Sequence, residues 1–196
     1  MESEVISQAK KLYALAQKTG LLGVESFVDV FSDVKLNKIA HGLDEDRDIF
    51  MVNSREVDAA GKIWEDGVHD RIMTDVSQIF IDYLQEKGKS FMLDYDSAVE
   101  DIVFNFKSVC SDLDISDIGE EKIEGDWYQS MKIGEDVFKY KMTDQYVPGD
   151  VLYDIGRKLF PLSKALLCTN FGDQDQYLIV SLDFAPEFTD FGFFSV

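Results

Sequence analysis

The run Trp127-Tyr128-Gln129-Ser130-Met131-Lys132-Ile133-Gly134-Glu135-Asp136-Val137-Phe138-Lys139-Tyr140-Lys141-Met142 decides the fold class. Residues 127–133 and 137–142 read as two strands rich in aromatic and aliphatic side chains, and Gly134-Glu135 between them supplies a tight turn. A tight turn joins antiparallel strands, because a parallel pair needs a long crossover. Working outward, Phe91-Met92-Leu93 is a short buried strand, and Val99, Ile102, Val103, Phe106 and Cys110 then recur at helical spacing through Leu113. Ser97 with Glu100 has the spacing of a capping box at that helix start. The acidic stretch Asp112–Glu121 reads as a loop. Beyond the hairpin, Pro148-Gly149-Asp150 opens a helix with Val151, Leu152, Ile155 and Leu159 on one face, and residues 165–169 and 177–182 form two strands joined around Gly172.

The order from residue 90 is therefore strand, helix, strand, strand, helix, strand, strand. Its first six elements match the split β-α-β order of ferredoxin-like sandwiches. The first 88 residues read as helical instead. Val5, Ala9, Leu12, Tyr13 and Ala16 form one helical stripe that Gly20 ends, and Val24, Phe27, Val28, Phe31 and Val34 continue the pattern in a second helix. Residues 44–46 look like an acidic loop. Ser54 is placed to cap a helix over 55–66, and Asp70 to open another that Lys87-Gly88 closes. The expectation is an α+β fold: a helical region, 1–88, packed on a mainly antiparallel sheet with two helices, 89–196, the two docked as one compact unit.

Composition sets the partners. Of 196 residues, 45% are hydrophobic and 15 are Phe, ample for a packed core. Acidic residues number 38 against 19 basic, a formal net charge of −19. Up to Ala98 there are 11 basic and 19 acidic residues, leaving −8, and beyond it 8 and 19, leaving −11. The charge is spread along the chain and so coats the folded surface. That surface repels phosphate backbones and anionic lipid, so neither nucleic acid nor membrane is an expected partner. A basic protein is. Cys110 and Cys168 form no CxxC and no disulfide framework, and Met1-Glu2-Ser3-Glu4 has none of the features of a signal peptide. These point to a cytoplasmic protein.

Signatures for chemistry are few. The run Phe91-Met92-Leu93-Asp94-Tyr95-Asp96-Ser97 is an apolar strand ending in D-x-D before a small hydroxyl residue. It resembles motif I of haloacid-dehalogenase-type phosphohydrolases. That resemblance implies a nucleophile at Asp94, an acid/base at Asp96 and a Mg²⁺ ion beside them, with Gly172-Asp173-Gln174-Asp175 similar to the family's later acidic motif. The family is a parallel α/β fold, whereas this region reads as antiparallel. Asp96 also suits a helix cap. Asp44, Asp46 and Asp48 fit the first EF-hand ligand positions, but Ile49 stands where the loop needs Gly and Arg55 where it needs Glu. Asp112, Asp114 and Ser116 fail in the same way. His41 and His69 have no metal-ligand spacing. No cofactor or metal is expected.

The reading that results is a non-enzymatic binding or inhibitory protein, similar in type to bacterial immunity proteins, which engages a basic partner. Its candidate contacts are Asp44, Asp46 and Asp48; Asp112, Asp114, Asp117, Glu120 and Glu121; and Asp173 and Asp175, with Trp64 or Trp127 as aromatic anchors. The alternative is a metal-dependent phosphohydrolase using Asp94 and Asp96. Phe184, Phe188, Phe191, Phe193 and Phe194 crowd the C-terminus. They pack on their own domain as a final edge strand, or they form a homodimer interface.

Overall fold

The computed structural model describes residues 2–50, 57–94, 97–142, 148–170 and 174–196. Two compact units emerge: residues 1–83 with 187–192, and residues 84–186 with 193–196.

The first unit is helical. Helix α1 (Glu2–Lys18) buries the predicted stripe Val5, Ala9, Leu12 and Ala16. The expected second helix breaks up. A single turn, α2 (Phe27–Val30), is capped by Ser26, whose hydroxyl accepts from the Asp29 N–H while the Asp29 carboxylate takes the Ser26 N–H at 2.7 Å. Helix α3 (Asp33–Phe50) then starts afresh, and the Ser32 hydroxyl accepts the Lys35 N–H. Two caps six residues apart override the apolar spacing, which leaves Val24, Val28 and Val34 exposed. Residues 44–46 are the last turns of α3 rather than a loop. Helix α4 (Val57–Glu86) runs unbroken through Asp70. Ser54 lies outside the described residues. Gly88, at φ 65, ends α4, and the Lys89 N–H reaches back to the Leu84 carbonyl at 2.8 Å. Phe31 stacks on Phe80 at 6.4 Å, and the Ser77 hydroxyl donates to the Phe191 carbonyl at 2.6 Å.

The second unit holds both sheets. Strand β1 (Ser90–Asp94) leads into α5 (Val99–Val109), followed by β2 (Ile115–Ile123), β3 (Asp126–Ile133), β4 (Asp136–Lys141) and α6 (Pro148–Leu159). Strands β5 (Lys164–Asn170) and β6 (Gln174–Ser181) come next, then a 3-10 run over Leu182–Phe191 and a short β7 (Phe194–Ser195). The chain is an α+β protein, and every strand pair among the described residues is antiparallel. The single ferredoxin-like sheet is replaced by two, ordered β1-β6-β5-β7 and β2-β3-β4.

The unexpected strand is β2. Residues 115–121, part of the expected loop 112–121, and the two that follow them pair along β3 from Ile115↔Ile133 to Ile123↔Asp126. A ferredoxin-like order would set β1 beside β4, the second strand of the hairpin, but β1 pairs with β6 instead. The β3–β4 hairpin forms as predicted, with Gly134 at φ 60 in its turn. One core serves both sheets. Phe91 and Leu93 from β1, Val99, Val103 and Phe106 from α5, Met131 and Ile133 from β3, Ile155 from α6 and Tyr177 from β6 belong to the same buried cluster. At the C-terminus Phe188, Phe191 and Phe193 are buried, Phe194 is half exposed, and β7 is an edge strand on β5. Among the described residues no helix is long and apolar enough to cross a membrane.

Candidate functional site

Of the acids in residues 112–121, Asp117, Glu120 and Glu121 lie along β2, an edge strand, while Asp112 and Asp114 lie in the loop before it. Antiparallel alternation puts Ile115 on the buried side with Ile133. A register shift between Ser116 and Gly119 sets two residues, Asp117 and Ile118, against one on β3, and Asp117 takes a left-handed backbone at φ 48. After that bulge Glu120 faces Gln129 and Glu121 faces Tyr128.

Gln129 ties this strand to α5. Its side chain is buried. The carboxamide oxygen accepts the Val99 N–H at 3.1 Å, and the carboxamide nitrogen donates to a Glu120 oxygen at 2.8 Å. The N-cap of α5 is Ala98, with no side-chain cap of its own. The Ser97–Glu100 capping box does not form, since the helix is capped at Ala98, and Gln129 on the neighbouring strand satisfies its first N–H. Around this junction Ala98, Val99 and Glu100 line a shallow hollow of about 100 Å³ together with Ile118, Gly119 and Glu120.

Charge compensation on the second unit is uneven. Lys164 pairs with Asp112 and holds its carboxyl below the usual range. Lys139 pairs with Glu121, Lys158 with Asp136, and Lys141 with Asp126 at 2.6 Å. Asp114, Asp117, Glu120 and Glu124 are exposed and have no ion pair among the described residues. Of the other candidates, Asp175 lies on β6 and accepts the Tyr177 hydroxyl at 3.2 Å, away from β2 in sequence and sheet. Asp44, Asp46 and Asp48 have their backbone in α3, but their side chains, like those of Trp64 and Asp173, lie outside the described residues. Trp127 is half exposed beneath the Lys122 ammonium, 5.7 Å from its ring.

Asp94 ends β1 on the outer edge of an antiparallel sheet, with Gln174 opposite in register. That differs from the parallel sheet of the phosphohydrolases it resembles, and Asp96 lies outside the described residues. Among the described residues no group of three His, Cys, Asp or Glu side chains is placed to hold a metal ion. Another cleft, about 390 Å³, is lined by Asp136, Val137, Phe138, Asp154, Arg157 and Lys158. Its polar groups are turned on one another. Lys158 pairs with Asp136, the Tyr140 hydroxyl donates to Asp154 at 2.9 Å, and Arg157 stacks on Tyr153. It gathers no nucleophile with a base.

Both thiols are buried. Burial first and the Asp175 charge second push Cys168 up to about 12, and burial raises Cys110. A thiolate is the reactive species, so both cysteines should resist a thiol-specific reagent at mildly alkaline pH in the native protein and react in denaturant. Rapid labelling of one equivalent without denaturant would refute this. Since the folded value for Cys168 lies above the ordinary 9.0, its contribution to stability is complete below that pH and is lost as pH rises toward about 12. No protein-family model, curated protein or solved structure matches the chain.

Proposed function

We propose that the chain is a binding protein, not an enzyme, and that it engages a basic partner protein through the acidic surface of its second unit. The observation that carries this is the uncompensated row on and beside β2. Asp114, Asp117, Glu120 and Glu124 stand exposed on the strand and its flanking turns, without ion pairs among the described residues. Like charges held together repel one another and lower stability, and a cationic partner relieves that repulsion. A surface of this kind raises association rates and weakens with salt. Inhibitory proteins that cover cationic sites need such a surface.

The test is titration of the whole protein with an oligolysine peptide at low and at physiological ionic strength. We expect binding at low salt that weakens about tenfold or more at physiological salt, in step with screening over a ~8 Å Debye length. Replacing Asp114, Asp117 and Glu120 with their amides should weaken binding more than an equal number of amide substitutions elsewhere on the unit. No binding at low salt, or equal loss from both sets, would overturn the reading.

A further inference from the structure

Helix α5 meets β2 at two points, and each element carries an exposed apolar side chain, Phe104 and Ile118. Two contacts fix how they lie. At one end Glu100 shares the small hollow with Ile118 and Glu120. At the other the Lys107 ammonium donates to the Ile115 carbonyl. Glu100, Phe104 and Lys107 fall at i, i+4 and i+7, one stripe of the helix. Phe104 therefore stands between the two points where α5 meets β2. It is 75% exposed, the most exposed aromatic ring among the described residues, and Ile118 is 39% exposed.

The rim of this apolar centre is acidic. Glu100 and Asp101 flank it on α5, Asp117 and Glu120 on β2, and Asp114 just before β2. All are exposed and none has an ion pair among the described residues. The Lys107 ammonium at the rim is taken up by the Ile115 carbonyl.

Four occupants differ in chemistry. An added β-strand is disfavoured, because Lys107 covers an edge carbonyl of β2 and the bulge at Asp117 interrupts the row beyond it. A second copy of the chain would bring the same carboxylates face to face, in a molecule already at −19. A nucleic acid would set its phosphates against them. A protein segment with lysine or arginine around an apolar side chain fits both the rim and the centre. We propose that this is the docking site for such a segment. The segment packs an apolar side chain beside Phe104 and Ile118 and sets cations on Glu100, Asp117 and Glu120. This rests on the reading of the chain as a binder of basic partners, and it names where and by what chemistry.

The experiment uses a lysine-rich peptide with two central leucines, and the same peptide with serines in their place. Both are titrated into the full chain with amide-shift mapping. The expected result is that the leucine peptide binds about tenfold tighter, burial of apolar side chains being the difference, with shifts clustered at residues 100–107 and 114–120. Phe104→Ser should erase the preference, so that both peptides bind alike. Its side chain is 75% exposed, and the fold should persist. Shifts outside these segments, or an undiminished preference in Phe104→Ser, would overturn the docking site while leaving the charge reading intact. Failure of both peptides to bind at low ionic strength would remove the charge reading as well. A dimer seen by sedimentation and dissolved by Phe104→Ser would make this a self-interface and also overturn the proposal.

Discussion

Phe106→Ala is expected to lower stability by about 3–5 kcal/mol, the range for truncating a fully buried aromatic side chain. The ring has no solvent exposure. It meets Phe91 of β1 edge-on at 6.4 Å, and Phe91 stacks on Tyr177 of β6 at 5.2 Å, so α5 and two strands share one aromatic chain. Truncation loses the transfer free energy of the ring and leaves a cavity that a helix locked between two sheet contacts cannot close. A domain is held by only about 5–15 kcal/mol, so the loss is a large share of the total. Urea unfolding followed by circular dichroism should show a lower midpoint with an unchanged slope. Phe104→Ser, two residues away on the opposite side of the same helix, should stay within about 0.5 kcal/mol of the parent, because surface changes remote from packed features rarely cost more. If the two variants prove equally destabilised, the assignment of the buried face of α5 is wrong.

That contrast shows what the sequence discloses about α5. The positions Val99, Ile102, Val103 and Phe106 fall on one helical face and predict the core directly, and the structure buries all four. Phe104 lies off that face, which is visible from spacing alone, yet an apolar residue out of pattern is ordinary in folded proteins. Only the position of β2 beside it gives its exposure a meaning. The same holds for Trp127, a natural anchor by residue type, which the structure shows beneath Lys122.

β2 was hidden for physical reasons. Ile115-Ser116-Asp117-Ile118-Gly119-Glu120-Glu121-Lys122-Ile123 is rich in acids and contains Gly, both depleted in strands. The bulge also shifts the alternation midway, so neither half shows a long enough period of two. What could have found it is the Glu124-Gly125 pair ahead of Asp126. Both residues have positive φ, at 53° and 101°, the backbone that two-residue hairpin loops demand. In the first unit, too, local caps decided the breaks. Ser26 with Asp29, and then Ser32, set the helix starts that apolar spacing alone ran together.

Gln129 was just as silent in sequence, and it carries the second large effect. A glutamine in the middle of a strand reads as a solvent-facing position, but here it is 5% exposed and joins three elements: β3, which it belongs to, the start of α5, and Glu120 on β2. Gln129→Met keeps the length and volume of the side chain and removes both hydrogen bonds. The Val99 N–H is then buried without an acceptor, since Ala98 offers none, and the expected cost is about 1–3 kcal/mol. Gln129→Glu separates the two bonds. It keeps an acceptor for the Val99 N–H, where the helix dipole favours negative charge, but it sets a second carboxylate against Glu120 in place of a donor. Two facing carboxylates raise each other's affinity for protons. The folded value at the new site then lies above the unfolded one, so the stability it contributes is present in acid and lost as pH rises. The deficit of Gln129→Glu relative to the parent should therefore be greatest near neutral pH and shrink as pH falls through the carboxylate range, while that of Gln129→Met stays constant. Unfolding midpoints measured across that range decide the matter. If the two deficits run in parallel, Gln129 does not hold Glu120. The strand would then owe its place beside α5 to packing alone.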